Sequence, residues 1–169
     1  MKMQKTVLSE RMYKILTEHI AEIEREKEPI IKGFFAESAE NGMDSEAFFR
    51  DYTAQIENYL KNVKVKKEGL DDCPFTIIGC RVELKDGDDP DTFSYRIVLP
   101  FAGNSGVSLD SASCFSPMGR ALLLKPVGSL VTVKTPSGQM EYEIVSISVE
   151  GKLESSKINL YTGKAEVAL

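Results

Sequence analysis

The chain has 169 residues, 42% hydrophobic and 28% charged, values near the globular average that exclude a disordered chain and a protein built on apolar membrane helices. Its formal charge of −5 excludes broad, sequence-independent binding to duplex DNA, which needs clustered Lys and Arg, and points to a protein partner. No run approaches the roughly 18 apolar residues of a membrane span, and Met1-Lys2-Met3-Gln4-Lys5 leads into polar helix rather than a secretory core, so no membrane contact and a cytoplasmic location are expected.

From Ser9 to about Asn41, Met12, Leu16, Ile20, Ile23, Ile30, Phe34 and Ala39 recur mostly at three- and four-residue steps in a charged background, which predicts an amphipathic helix. Pro29 lies within that pattern and predicts a kink or break, and Gly33 is a further weak point. Asn41-Gly42 supplies a stop. Asp44 or Ser45 can cap a second helix in which Phe49, Tyr52, Ile56, Tyr59 and Val63 step by three and four, the spacing of a coiled-coil seam. Two helices with a tight link make an antiparallel hairpin. Its arms differ, at roughly 32 and 18 residues or about 48 and 27 Å, so part of helix one is expected to pack elsewhere.

A basic-then-acidic connector from Lys61 to Asp72 places a domain boundary there, dividing the chain into a helical hairpin, 1–68, and a sheet domain, 69–169. Beyond the connector the period changes. Cys80, Val82 and Leu84 alternate with polar residues, Asp86 to Asp91 forms an acidic turn, and Phe93, Tyr95, Ile97 and Leu99 alternate again. The turn fails as a calcium loop, because Asp91 stands where that loop needs Gly and Ile97 where it needs Glu. A loop from Gly103 to Ser113 precedes Ser116-Pro117-Met118-Gly119-Arg120-Ala121-Leu122. There Ser116 can cap a short helix, Pro117 suits its first position, and Met118, Ala121 and Leu122 share one face. Leu130 to Thr135 and Met140 to Ile144 flank the turn Pro136-Ser137-Gly138-Gln139. Lys157 to Tyr161 could add a strand. Cys73, Cys80 and Cys114 lack C-x-x-C spacing and read as free thiols, and His19, with no second histidine or nearby cysteine, reads as structural rather than as a metal ligand.

The wording S-P-x-[GA]-R-A-L-L, then V-G, then V-x-T-P-x-G and an alternating strand, resembles the C-terminal domain of the GreA/GreB transcript-cleavage factors, as does Tyr95-Arg96-Ile97-Val98. The resemblance is clearest from about Gly79 to Val149. It implies an α+β protein: an N-terminal antiparallel α-helical coiled-coil hairpin followed by a small FKBP-like antiparallel β-sheet domain with one short helix. It also implies that the sheet domain docks at the rim of the secondary channel of bacterial RNA polymerase while the hairpin enters the channel. Phe115, Ser116, Pro117, Met118 and Arg120 are then the expected polymerase-binding residues. Asp44 and Glu46, at the hairpin tip, are the expected catalytic assistants, adding carboxylates at the polymerase's own magnesium. No intrinsic cofactor, intrinsic metal or small-molecule substrate is expected.

Departures from the family phrase bear on that role. Glu46 matches the family's Glu, but Met43 stands at its first acidic position and Asp44 falls one residue late. The second arm lacks about two heptads, and Cys114-Phe115 replaces the Asn or Asp that precedes Ser-Pro in the family. Without the resemblance, Asp44 and Glu46 read as helix-capping acids and Ser116, Pro117 and Arg120 as fold-building residues. Lys64, Lys66 and Lys67 could touch nascent RNA, though such a connector is ordinarily just solvated. Prolyl isomerase activity is rejected, since the chain has no tryptophan to line the pocket. The leading expectation is an accessory, non-enzymatic elongation factor of Gre type. The alternatives are a non-cleaving regulator that blocks the channel or competes with Gre factors, and an FKBP-like interaction module with a dimerising helical N-terminus.

Overall fold

In the computed structural model the described residues are 7–32, 44–87, 89–99 and 111–149. The chain divides into two units, Met1–Asp71 and Asp72–Leu169.

In the first unit, strand β1 (Val7–Ser9) runs directly into helix α1 (Glu10–Lys32). Ser9 starts the helix as an N-cap does: its Oγ accepts the Met12 N–H at 3.0 Å and donates to Asp71 Oδ1 at 2.6 Å. Helix α2 (Ser45–Asn62) follows, and β2 (Lys64–Lys66) then pairs parallel with β1, Val7 opposite Lys64 and Ser9 opposite Lys66. The other edge of β1 is taken by Leu70, whose N–H donates to the Val7 carbonyl at 2.7 Å and whose carbonyl accepts the Ser9 N–H at 2.9 Å. That approach requires Gly69: a Cβ there would lie 2.4 Å from the Leu8 backbone carbonyl atoms.

The start of α1 thus meets the end of α2, and farther along both, His19 Nε2 lies 2.7 Å from Tyr52 Oη, so the helices are antiparallel. The buried face of α1 is Met12, Ile15, Leu16, His19, Ile23 and Ile30, and that of α2 is Phe49, Tyr52, Thr53, Ile56 and Leu60. Two expectations change. His19, not the half-exposed Ile20, sits in the stripe, and Leu60 replaces Tyr59 and Val63, because the stripe of a straight helix drifts by about 20° per heptad from a strict seven-residue repeat. The helix is not broken at Pro29. A proline removes one ladder bond, and buried Ile30 holds the turn beyond it. Within the described residues α1 has 23 residues and α2 has 18, and the expected continuation of helix one beyond Lys32 lies outside them. Gly33, Phe34, Ala39, Asn41, Gly42 and Met43 lie outside the described residues.

The second unit holds β3 (Cys80–Asp86), β4 (Thr92–Val98), β5 (Ser111–Ser113), helix α3 (Pro117–Leu122), β6 (Leu130–Thr135) and β7 (Gly138–Val149). The five strands form one sheet in the order β5-β4-β3-β7-β6. Each neighbouring pair is antiparallel except β4 and β5, which are parallel with Arg96 opposite Ser111, so the expected antiparallel sheet carries one short parallel edge strand. A parallel neighbour needs a crossover of about a dozen residues, and the long stretch between Val98 and Ser111 supplies it. Val82, Leu84, Ile97, Val131, Val133 and Ile144 face a core completed by Phe75, Ile77, Ile78 and Leu122. Cys73, Cys80 and Cys114 are free and buried there, and burial pushes all three thiols up, Cys73 to about 12, which makes them poor nucleophiles.

Two predictions follow from the first unit's packing. Gly69→Ala should destabilise it by about 2 kcal/mol or more, measured by urea unfolding, because the added methyl meets backbone rather than a movable side chain. Burial also holds the His19 imidazole down at about 4, against an ordinary 6.5. The unfolded chain then takes up a proton that the folded chain refuses, so the contribution is complete above pH 6.5 and is lost as pH falls toward 4. Since His19 is the sole histidine, the wild type should lose about 2 kcal/mol between pH 7.5 and 5 that His19→Leu does not lose. Equal pH slopes for the two proteins would refute this.

Candidate partner-binding site

Helix α3 is fixed at its start by paired serines. Ser116, in extended backbone at φ −75° and ψ 162°, accepts the Gly119 N–H on its Oγ at 3.0 Å and donates that hydroxyl to the Ser113 carbonyl at 2.7 Å. The same carbonyl accepts the Ser116 N–H at 2.9 Å, while Ser113 Oγ accepts the Phe115 N–H at 3.0 Å. Pro117 takes the first helical position, where its missing N–H needs no partner. The helix lies so close to β5 that a Cβ on Gly119 would sit 2.0 Å from the Ser113 carbonyl oxygen. The inward residues are therefore Gly119 and Leu122, and Met118 and Ala121, expected on one face with Leu122, are half-buried.

The other end is clamped as well. Leu124 has a left-handed φ of 66°, which costs a residue with a Cβ about 1–2 kcal/mol. It is held by donating its N–H to the Thr76 carbonyl at 2.8 Å, while the Lys125 carbonyl accepts both the Thr76 N–H and its Oγ1 hydroxyl, at 3.0 and 3.1 Å. This clamped helix presents exposed Pro117 and Arg120, flanked by half-buried Phe115, Ser116 and Met118. All five residues expected at a docking surface thus lie together. Ser113, Gly119, Thr76 and Leu124, which position them, were not anticipated. Ser113 had a readable signal, a second hydroxyl three residues before the cap, whereas the Thr76 clamp spans 49 residues and leaves no local trace.

At the start of α2, Asp44 is the N-cap, with φ −96° and ψ 103°, and its Oδ1 accepts the Ala47 N–H at 3.1 Å. Glu46 lies in the first turn, and both carboxylates are exposed. They stand at the end of the hairpin opposite the β1 and β2 pair. Asp44 keeps Oδ2 clear of the cap bond, so the pair can offer carboxylate oxygens outward while also facing the positive end of the helix dipole. Among the described residues no group of three or more His, Cys, Asp or Glu is placed to hold a metal ion, and no helix is long and apolar enough to cross a membrane.

A helical hairpin carrying exposed acids at one end and a small mixed sheet carrying a serine-capped helix define an α+β protein of two units. Residues 74–149 match the family model described as "Transcription elongation factor, GreA/GreB, C-term". The chain is 30% identical over 157 residues to transcription elongation factor GreA of Alkalilimnicola ehrlichii, a match covering 86% of this chain and 98% of that one. It is 33% identical over 109 residues to GreA of Bacillus cereus, covering 62% of this chain and 65%, just under two thirds, of the relative. Among solved structures, GreA factor homolog 1 of Thermus thermophilus is similar at 26% identity over 85% of this chain and 99% of that one, with a TM-score of 0.38, too low to bear on this chain's architecture. The chain belongs to the GreA/GreB family.

Removing either close contact at α3 should show directly in stability. Gly119→Ala should cost the second unit about 2–4 kcal/mol, by overpacking against a backbone carbonyl, and Ser116→Ala about 1–2 kcal/mol, by loss of the cap. Denaturant midpoints measure both, and a Gly119→Ala protein as stable as wild type would contradict the close approach to β5.

Proposed function

We propose that this protein is a Gre-type transcription elongation factor: a cytoplasmic accessory protein, not an enzyme in isolation, that binds bacterial RNA polymerase at its secondary channel and modulates elongation. The observation that carries this reading is the clamped helix α3, whose cap Ser116 and exposed Pro117 and Arg120 match the family's S-P-x-[GA]-R phrase. Phe115 and Met118 add apolar area beside them, and a surface held at both ends loses little conformational freedom on docking. Arg120 makes no ion pair among the described residues, which leaves its guanidinium available to an acidic partner.

In this reading the hairpin carries Asp44 and Glu46 toward the polymerase active centre. Magnesium held by the polymerase supplies the activation of water there, and this chain adds carboxylate oxygens, the hard ligands that ion takes. Glu46 is the stronger candidate because its carboxylate is not engaged as a cap. Glu46→Ala should abolish stimulated cleavage of backtracked transcripts while leaving polymerase binding within about twofold, and unchanged cleavage would remove the catalytic assignment.

One observation favours a second reading, a non-cleaving regulator that occupies the channel. Met43 holds the family's first acidic position, and Asp44 Oδ1 is already committed to the Ala47 N–H. The same assay separates the two readings: wild-type protein that binds polymerase and slows elongation without shortening backtracked RNA selects the regulator. Failure to co-migrate with polymerase on a sizing column would reject both and leave an interaction module with another partner.

A further inference from the structure

His19 and Tyr52 are each 3% exposed, face one another from opposite arms, and join through a 2.7 Å contact between Nε2 and Oη, with the rings edge to face at a centroid distance of 5.8 Å. His19 Nδ1 is buried without a hydrogen-bond partner. The tautomer decides which of the two groups donates, and in either tautomer the 2.7 Å contact is a directional bond across the arms. Nothing in the proposed docking or tip chemistry uses this pair, and polar groups cost more to bury than the aliphatic residues around them.

Beside the pair lie aliphatic and aromatic side chains and Thr53, whose hydroxyl donates to the Phe49 and Arg50 carbonyls of its own helix rather than across the arms. Packing of the buried Leu16, Ile23, Phe49 and Ile56 favours a class of crossing angle but leaves a scatter of about 15–20°, within which apolar contact alone cannot select one angle. Directional bonds can. At the base of the hairpin the arms are tied by the three-residue pairing of β1 with β2 and by Leu70. A second directional contact farther along narrows the angle that the two arms can take. We propose that the hydrogen bond between His19 and Tyr52 is this second contact, making both residues positioning residues that aim the far end of the hairpin, where Asp44 and Glu46 stand. Tyr52 lies eight residues after Asp44 in the same rigid helix, about 12 Å along its axis, so an angular error at the pair is carried directly to the acids.

The first part of the test concerns the hairpin alone and does not depend on the elongation-factor reading. The native cysteines are buried, so introduced exposed cysteines can be spin-labelled selectively in the full chain. Glu24→Cys with Arg50→Cys reports the far half of the hairpin, and Lys14→Cys with Glu57→Cys reports the base. In His19→Leu and in Tyr52→Phe the far-half distance distribution should broaden at least twofold, while the base distribution holds. His19→Gln, whose amide can donate or accept, should restore the narrow distribution. Unchanged far-half widths in both variants, or equal broadening at both ends, would overturn the proposal. If His19→Leu fails to fold, Tyr52→Phe, which keeps the ring, decides alone.

The second part rests on the reading under Proposed function. In backtracked complexes Tyr52→Phe should lower the cleavage rate at saturating factor about tenfold without changing the half-saturating concentration. Far-half broadening with no cleavage even by wild type would reject cleavage and retain the positioning role. An unaltered cleavage rate despite a broadened far half would reject the aiming of the acids.

Discussion

The Ser116 hydroxyl is the constraint on which the presented surface of the second unit depends, because it works in two directions at once. It accepts from the Gly119 amide, closing the first turn of α3, and donates to the Ser113 carbonyl, tying that turn to strand β5. A six-residue helix has too little ladder of its own to persist, so its position must come from its ends. The cap supplies one end and the Thr76 clamp on Leu124 and Lys125 supplies the other. What results is a short rigid edge whose backbone needs little ordering when a partner arrives, leaving only exposed side chains such as Arg120 to be fixed.

The first unit solves a related problem with different means. A long helical arm has ample ladder but no intrinsic direction, and its apolar seam leaves the crossing angle open within about 15–20°. Specificity is concentrated in a few contacts: the parallel pairing of β1 with β2, the close passage of Gly69 over Leu8, and the buried His19 and Tyr52 pair. Each costs something locally, whether a glycine's chain entropy or the desolvation of an imidazole. In return each fixes geometry that apolar burial leaves open.

How much of this could be read from the residues depended on how local the physics is. Ser116 and Pro117 announced α3 because cap and first-turn chemistry act within four residues, and the alternating residues of β3, β4 and β6 announced themselves through period two. Strands β1, β2 and β5 are three residues each, too short for any period, and exist only because a distant partner accepts them. The parallel pairing of β5 and the positive φ of Leu124 belong to the same non-local class. The seam was nearly right, and its errors at Ile20, Tyr59 and Val63 trace to laying a strict heptad on a straight helix. Asp44 and Glu46 were placed correctly at a helix start, yet that placement follows from capping preference alone and so does not by itself distinguish a capping acid from a working one.

That ambiguity has physical content. An N-cap aspartate is pinned by the amide it satisfies, and its charge is stabilised by the helix end, typically by about 0.3–1 kcal/mol. Both effects oppose recruitment by an external cation, the first by consuming an oxygen and the second by placing partial positive charge behind the carboxylate. Glu46 bears the dipole's effect without the cap bond and has one more methylene with which to reach away from the helix. A hairpin end in which one acid builds the helix and its neighbour faces outward divides the labour between fold and chemistry. The residue that keeps its freedom is therefore the one on which any catalytic assistance must rest, and its reach is useful only if the arm behind it is aimed.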